Sequence, residues 1–329
     1  MEGIPENIPE QPIVPEQGMS QKETRRVLML EIPEIEEGLH TAFGLEVSIM
    51  KRVESGYASE VYEVVIGGEK AFVLFNKDKH ALPVAARGHE LFKRYGIPVP
   101  NVIAYEENPP AIECPTLILS AAEGRVLAEA QLSPEEEAAI YTEMGDISRR
   151  INEISVPGFG RMVVDEDGTV KGEFNSWKES RVEFQAYFDK NIEFLRTHRL
   201  LTEDELESLV AANEELKEIK IGQASLLHTD IHRGHVFVKD GKVSGIIDLG
   251  RLRAGDPREE VAECFVFQSD TQRDAFTRGY GDVAHDPIIN KYIMVIAAMK
   301  TAFRHEIGNE KGKAKVISEF RRARQAAGI

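Results

Sequence analysis

The sequence predicts an α+β protein in two lobes, a small antiparallel β-sheet lobe followed by a larger, mainly helical one. Three observations carry this prediction. The chain has 329 residues, long for a single hydrophobic core and well suited to two. Residues 47–75 read as strand, loop, strand, turn, strand, with Gly67-Gly68 as the hairpin turn. Beyond Ser133 the apolar residues recur at helical spacing behind capping signatures. The expected division is a tail at 1–20, a first lobe at 21–119 and a helical lobe at 120–329.

The elements follow in order. Pro5, Pro9, Pro12 and Pro15 among Glu, Gln and Asn make the start of the chain too polar to bury, so a flexible tail is expected. Ile32 to Phe43 has helical spacing after Pro33. Val47 to Val53, Glu60 to Ile66 and Lys70 to Phe75 read as strands, with a loop through Ser55, Gly56 and Tyr57 between the first two. Thr116 to Leu119 is another strand, running into Ser120-Ala121-Ala122. Ser133-Pro134-Glu135-Glu136 opens a helix to about Ile154, and Thr202-Glu203-Asp204-Glu205 opens another to about Ile219. Met162 to Glu173 reads as a small hairpin. Between them, Phe174 to Leu200 carries Trp177, Phe184, Tyr187, Phe188 and Phe194 at helical spacing, which reads as core. Helices are expected again at 259–268, 270–280, 287–305 and 311–327.

Composition narrows the partners. A net charge of −16 argues against nucleic acid and leans toward a cationic small substrate. No apolar run approaches the ~20 residues that cross a bilayer, so no membrane partner is expected. Cys114 and Cys264 are the only cysteines. That suggests buried thiols in a reducing cytoplasm rather than a disulfide framework.

The chemistry concentrates in Leu226 to Asp256, LLHTDIHRGHVFVKDGKVSGIIDLGRLRAGD. Val236 to Val238, a turn at Asp240-Gly241 and Val243 to Ile247 form a hairpin that returns Asp248 toward Asp230 and His235. Two carboxylates and a third ligand so gathered suit phosphoryl transfer, one as base and one as metal ligand. His and Asp so crowded also suit a zinc or iron hydrolase. The terminal Asp248 of the hairpin, which a hydrolase has no reason to share, favours the first reading.

His228-Thr229-Asp230-Ile231-His232-Arg233-Gly234-His235, then Ile246-Ile247-Asp248, then Gly255-Asp256-Pro257, resemble the aminoglycoside phosphotransferase family of small-molecule kinases. That family reads HGDLHPGN, IDW or IDF, and GDP, and has a protein-kinase-like fold. The resemblance implies a kinase using ATP or GTP with Mg²⁺ on the hydroxyl of a small molecule, an aminoglycoside- or macrolide-like antibiotic or a metabolite. Asp230 would be the base, Asp248 and His235 the metal ligands, and His232 and Arg233 cations near the transferred phosphoryl group. Ser55, Gly56 and Tyr57 would cover the phosphates, and Leu119 and Ala121 would meet the base by backbone. His228 would hydrogen-bond backbone near the metal-site turn, and Asp256 would brace the loop or cap the next helix.

Two departures stand out. The third strand of the family ends YVLK or YVLR, gripping the phosphates, whereas here Phe72-Val73-Leu74-Phe75 puts Phe75 in the cationic slot. Lys77 reaches the same face if the strand persists, with Lys70 as second choice. The following helix has Ala85 and Ala86 where an orienting Glu is expected, and Glu90 comes a turn later. His235 stands in the Asn slot, as in the macrolide phosphotransferase branch, which favours GTP. Imidazole suits Mn²⁺ better than Mg²⁺. A peptide substrate is disfavoured by the short span from Asp248 to Gly255 and the lack of A-P-E. The alternative is a kinase-like binding module without catalysis, which Phe75 favours and the intact Asp230 and Asp248 pair disfavours.

Overall fold

Helix α1 (Ile32–Phe43) takes Pro33 into its first turn, where no N–H is needed. It stops at Gly44, whose left-handed φ of 66° lets its N–H reach the His40 carbonyl at 2.8 Å. The computed structural model describes residues 30–53 and 59–329. The tail at 1–20 and the loop residues Ser55, Gly56 and Tyr57 lie outside them. The described residues form two compact units, one from those up to 82 with 103–120, the other from 83–102 with 121–329.

In the first unit β1 (Val47–Val53), β2 (Glu60–Ile66), β3 (Glu69–Phe75), β4 (Val102–Glu106) and β5 (Thr116–Ser120) make one sheet in the order β1-β2-β3-β5-β4. Alternation sends Tyr62, Val64, Ala71, Val73 and Phe75 to one face, against Ile35 and Leu39 of α1. The other face carries Lys70, 3.0 Å from Glu63 and over the Phe72 ring.

This parity corrects the expectation for the third strand. Phe75 is 0 % exposed and meets Tyr62 edge-on, ring centroids 6.0 Å apart. The strand does not persist to Lys77. Asn76 turns the chain, its side chain accepting from the Asp78 N–H at 2.8 Å and donating to Ser59 Oγ at 3.0 Å. Lys77 is therefore an exposed turn residue, and Lys70 points to the face opposite Phe75.

The second unit begins with most of α2 (Ala81–Arg94), which the sequence reading counts with the first lobe. Its packing explains the difference. Gly88 lies so near Leu252 that a Cβ there would sit 2.6 Å from Cδ1. The Phe92 ring is 6.4 Å from that of His228, and the Pro98 carbonyl accepts from the Ile246 N–H at 2.8 Å. Ala85 and Ala86 are buried, and Glu90 is exposed with Arg87 at 3.0 Å.

Next come β6 (Arg125–Val126), α3 (Pro134–Asn152), β7 (Ser155–Val156), β8 (Phe159–Val164), β9 (Val170–Phe174), α4 (Trp177–Thr197) and α5 (Glu203–Lys217). Both predicted capping boxes form, at Ser133 with Glu136 and at Thr202 with Glu205. Then follow β10 (Ala224–Leu227), β11 (Val236–Lys239), β12 (Lys242–Ile246), β13 (Arg253–Gly255), α6 (Pro257–Phe265), α7 (Asp270–Tyr280), α8 (Ile289–Glu306) and α9 (Glu310–Ala327). One sheet runs β7-β10-β13-β8-β9 and a smaller one β12-β11-β6. Helix α3 crosses α7 at two glycines: a Cβ on Gly279 would stand 1.8 Å from the Thr142 carbonyl oxygen. Of the α4 aromatics Trp177 and Phe188 are buried and Tyr187 is exposed. Among the described residues no helix is long and apolar enough to cross a membrane.

Candidate active site

Strand β10 ends at Leu227, and the next residues turn sharply. Thr229 has φ 65°, a conformation that a β-branched residue adopts only when its surroundings impose it. Those surroundings are a buried carboxylate. Glu260 Oε2 on α6 accepts from the backbone N–H groups of His228 at 2.6 Å and Thr229 at 2.9 Å. The Thr229 hydroxyl donates to the Arg251 carbonyl at 3.1 Å. Burial pushes the Glu260 carboxyl up to about 8. Helix α6 is itself capped by Asp256, which accepts from the Arg258 N–H at 3.0 Å and from the Tyr292 hydroxyl at 2.7 Å. The third motif thus holds the first from behind.

The β11–β12 hairpin turns at Asp240, φ 51°, and Gly241, φ 75°. It delivers Asp248, also left-handed at φ 69°, beside the turn. His235 Nε2 is 3.7 Å from Asp248 Oδ2, and His235 Nδ1 is 3.3 Å from Asp230 Oδ2. The return of Asp248 to Asp230 and His235 is as the hairpin predicts.

The hydrogen bonds fix how each imidazole is used. His228 Nδ1 accepts from the Asp230 N–H at 3.3 Å, and its Nε2–H donates to the Ile247 carbonyl at 3.1 Å, so it braces the turn before Asp248. Burial pushes it down to about 4, and it is neutral. His232 Nδ1 accepts from the Gly234 N–H at 3.0 Å, which leaves the proton on Nε2, 3.7 Å from Asp230 Oδ1. His235 is the reverse. Its Nδ1–H donates to the Asp230 carbonyl at 3.0 Å, and its Nε2 faces the Asp248 carboxylate.

That last pair sets an imidazole nitrogen 3.7 Å from a carboxylate oxygen, two donors that a cation can share. A divalent ion held by a nitrogen and a carboxylate oxygen fits the donor set. The ligand atoms of Asp230, His232 and His235 also lie within 4.8 Å of one another. A metal on all three would need a lone pair on His232 Nε2 and a proton on Nδ1, against the Gly234 N–H. The hydrolase-type cluster is disfavoured on that ground.

The two carboxylates are shifted in opposite directions. Burial works against charge on Asp230, but His235, His232 and Lys300 outweigh it and hold the carboxyl below its ordinary range. Burial, with Asp230 adding to it, raises Asp248 despite His235, and its side chain stays 45 % exposed on an open side. Burial, then the fields of His235, Lys300 and Arg304, push the His232 imidazole down to about 4 against the pull of Asp230.

The remaining expected residues are distributed unevenly. The Arg233 guanidinium donates to the Leu127 carbonyl at 3.3 Å and ties the turn to the segment after β6. Leu119 pairs with Phe72 in the first unit, and Ala121 follows the end of β5 in the second. Sequence reasoning missed Glu260, Glu263, Phe267 and Lys300. The one available signal for Glu260 was an acid standing directly before the buried Val261-Ala262 in an amphipathic helix.

A family model described as the phosphotransferase enzyme family matches residues 49–289. A comparison with curated protein sequences finds no match. Among solved structures, a thermostable mutant of aminoglycoside phosphotransferase APH(4)-Ia in complex with ADP and hygromycin B is 18 % identical, with a TM-score of 0.69 over 89 % of this chain and 98 % of that one. The GDP complex of an aminoglycoside 2'-phosphotransferase-IIIa mutant is 12 % identical, TM-score 0.60, over 90 % and 98 %. The gentamicin complex of APH(2")-IIa is 17 % identical, TM-score 0.55, over 89 % and 97 %. At these identities the likeness shows the fold, the kinase-like α+β fold that the sequence predicts. The family match spans most of the chain and takes in the turn, the hairpin and the helix that braces them, so the chain belongs to the phosphotransferase enzyme family.

Proposed function

We propose that this chain is a kinase that moves the terminal phosphoryl group of ATP or GTP to a hydroxyl of a small molecule. The observation that carries the reading is the pairing of an ionised Asp230 with a His235–Asp248 donor pair able to hold a cation. Asp230 accepts the acceptor's hydroxyl proton while the new O–P bond forms and the bond to the departing nucleoside diphosphate breaks. The His232 Nε2–H, directed at Asp230, keeps that carboxylate in place. Asp248 and His235 would hold Mg²⁺ or Mn²⁺, which when bound neutralises phosphate charge. The complexes of solved relatives with ADP, GDP, hygromycin B and gentamicin support a nucleotide and a small acceptor. Two buried, unpaired thiols, Cys114 and Cys264, fit a cytoplasmic enzyme.

Calorimetry of ATP and GTP, each with Mg²⁺ and with Mn²⁺, on wild type and on Asp248→Ala, tests this. Metal-dependent binding that the substitution removes is expected. No binding in any combination sinks the reading and leaves the second one, a non-catalytic binding module, which the burial of Phe75 in the cationic slot favours.

A further inference from the structure

From Asp248 the contacts run through His235 to Asp230 and His232. They continue away from the metal pair. The His232 ring lies 4.0 Å from that of His235, and on its other side 5.5 Å from Phe267. The Lys300 ammonium stands over Phe267 at 4.9 Å, and 3.0 Å from Glu263 Oε2. Arg304 follows four residues later on α8, on the same helix face. Beyond His232 the chain therefore presents a half-buried aromatic ring with the Lys300 ammonium over it, and Arg304 one helical turn further along α8.

We propose that the acceptor is a hydroxylated small molecule carrying an anionic group, which Lys300, with Arg304 beside it, seats next to Asp230. This rests on the kinase reading above and narrows its substrate. The placement is pointed in a chain of net charge −16, where the average surface would draw cations. Two carboxylates on α6 are engaged in ion pairs, Glu263 with Lys300 at 3.0 Å and Glu259 with Arg253 at 3.5 Å. A polycation would set its ammonium groups against Lys300 and Arg304 with those acids occupied, which costs affinity by like-charge contact. An anion meets a lysine that keeps donors to spare beyond Glu263 and is only 23 % exposed, where screening is weak. Phe267 would lie under the carbon skeleton between hydroxyl and anion.

The test is a phosphoryl-transfer and thermal-shift screen on the full chain with nucleotide and metal. D-glycerate and glucose 6-phosphate serve as the carboxylate and phosphate arms, myo-inositol as the neutral one and kanamycin as the polycation. Transfer to, or binding of, at least one anionic arm is expected, with KM rising as salt is added. Lys300→Met should raise that KM by about tenfold or more with a smaller change in kcat, and Lys300→Arg should recover most of it. Because Lys300→Met strands Glu263, the double variant Lys300→Met with Glu263→Gln keeps the measurement interpretable if the single one unfolds. Preference for kanamycin or inositol, silence from both anionic arms, or a KM indifferent to Lys300 overturns the proposal. Metal-dependent nucleotide binding, measured alongside, separates that outcome from failure of the kinase reading itself.

Discussion

The stretch from Leu226 to Asp256 and the strand β3 place their side chains by different physical means. In the stretch every chemically loaded side chain sits on a turn anchored from outside: Glu260 on two N–H groups, His228 on the Ile247 carbonyl, Arg233 on Leu127. In β3 the position of a side chain is set by strand parity alone, and parity hands Phe75 to the core beside Tyr62. Turns anchored at several points can hold a carboxylate against its own desolvation. A sheet face shared with a helix such as α1 cannot, and selects an apolar residue. Substitutions in the two regions should therefore fail in different ways.

The largest effect is expected at the base. Asp230→Asn keeps the shape of the turn and its backbone bonds, so folding and metal-dependent nucleotide affinity should stay near wild type. Transfer to the acceptor should fall by about 10²–10⁴ in kcat. Stopped transfer together with lost nucleotide binding would mean that Asp230 supports the metal rather than the proton.

In β3 the same kind of change should act on stability. Phe75→Ala should cost about 3–5 kcal/mol by leaving a cavity under Tyr62 and Val73, read as a shifted denaturation midpoint. Phe75→Lys, which restores the motif residue, should not improve nucleotide affinity, because it drives an ammonium into an apolar core. A tighter nucleotide complex in Phe75→Lys would show that strand parity is not what excludes the cation.

Glu260 tests the anchoring itself. Glu260→Ala orphans two N–H groups beside a strained Thr229 and should cost about 2–5 kcal/mol. The pH dependence has a definite sign. Folded, the carboxyl keeps its proton up to about 8, whereas its ordinary value is 4.5. The folded state therefore binds more protons across that window, and stability falls as pH rises from about 4.5 toward 8. Glu260→Gln, whose carbonyl can still accept both N–H groups, should flatten that slope in melts taken between pH 5 and 8. An unchanged slope would place the titration elsewhere.

Much of this was legible in the sequence, and the limits are physical. Strand and helix positions followed from periodicity and caps, and the hairpin turn at Asp240-Gly241 was enough to return Asp248 to His235. Capping of α6 by Asp256 was one of the two roles expected of it. The face argument for Lys77 needs the strand to continue, and the Asn76 turn that ends it at Phe75 depends on Ser59 across the sheet. Glu260, Phe267 and Lys300 left no motif. Each meets a neighbour that is distant in sequence, and the ring nitrogen that each histidine turns to the backbone is likewise set by groups that sequence alone does not place.

The smallest expected effect concerns the metal pair. His235 Nε2 offers an imidazole nitrogen where an amide oxygen would suit a hard ion, and its tautomer is locked by the Asp230 carbonyl at 3.0 Å. Nucleotide binding should therefore favour Mn²⁺ over Mg²⁺ in the wild type. His235→Asn replaces nitrogen by oxygen at the end of a shorter side chain and should narrow that preference, by about tenfold or less in the ratio of the two dissociation constants. The contrast with β3 sharpens here. At Phe75 the fold refuses a polar group altogether, whereas at 235 it accepts either polar group and lets the ligand atom choose the ion. A metal preference that does not move in His235→Asn would assign the selectivity to Asp248 and the phosphates, and leave His235 as a partner of Asp230 alone.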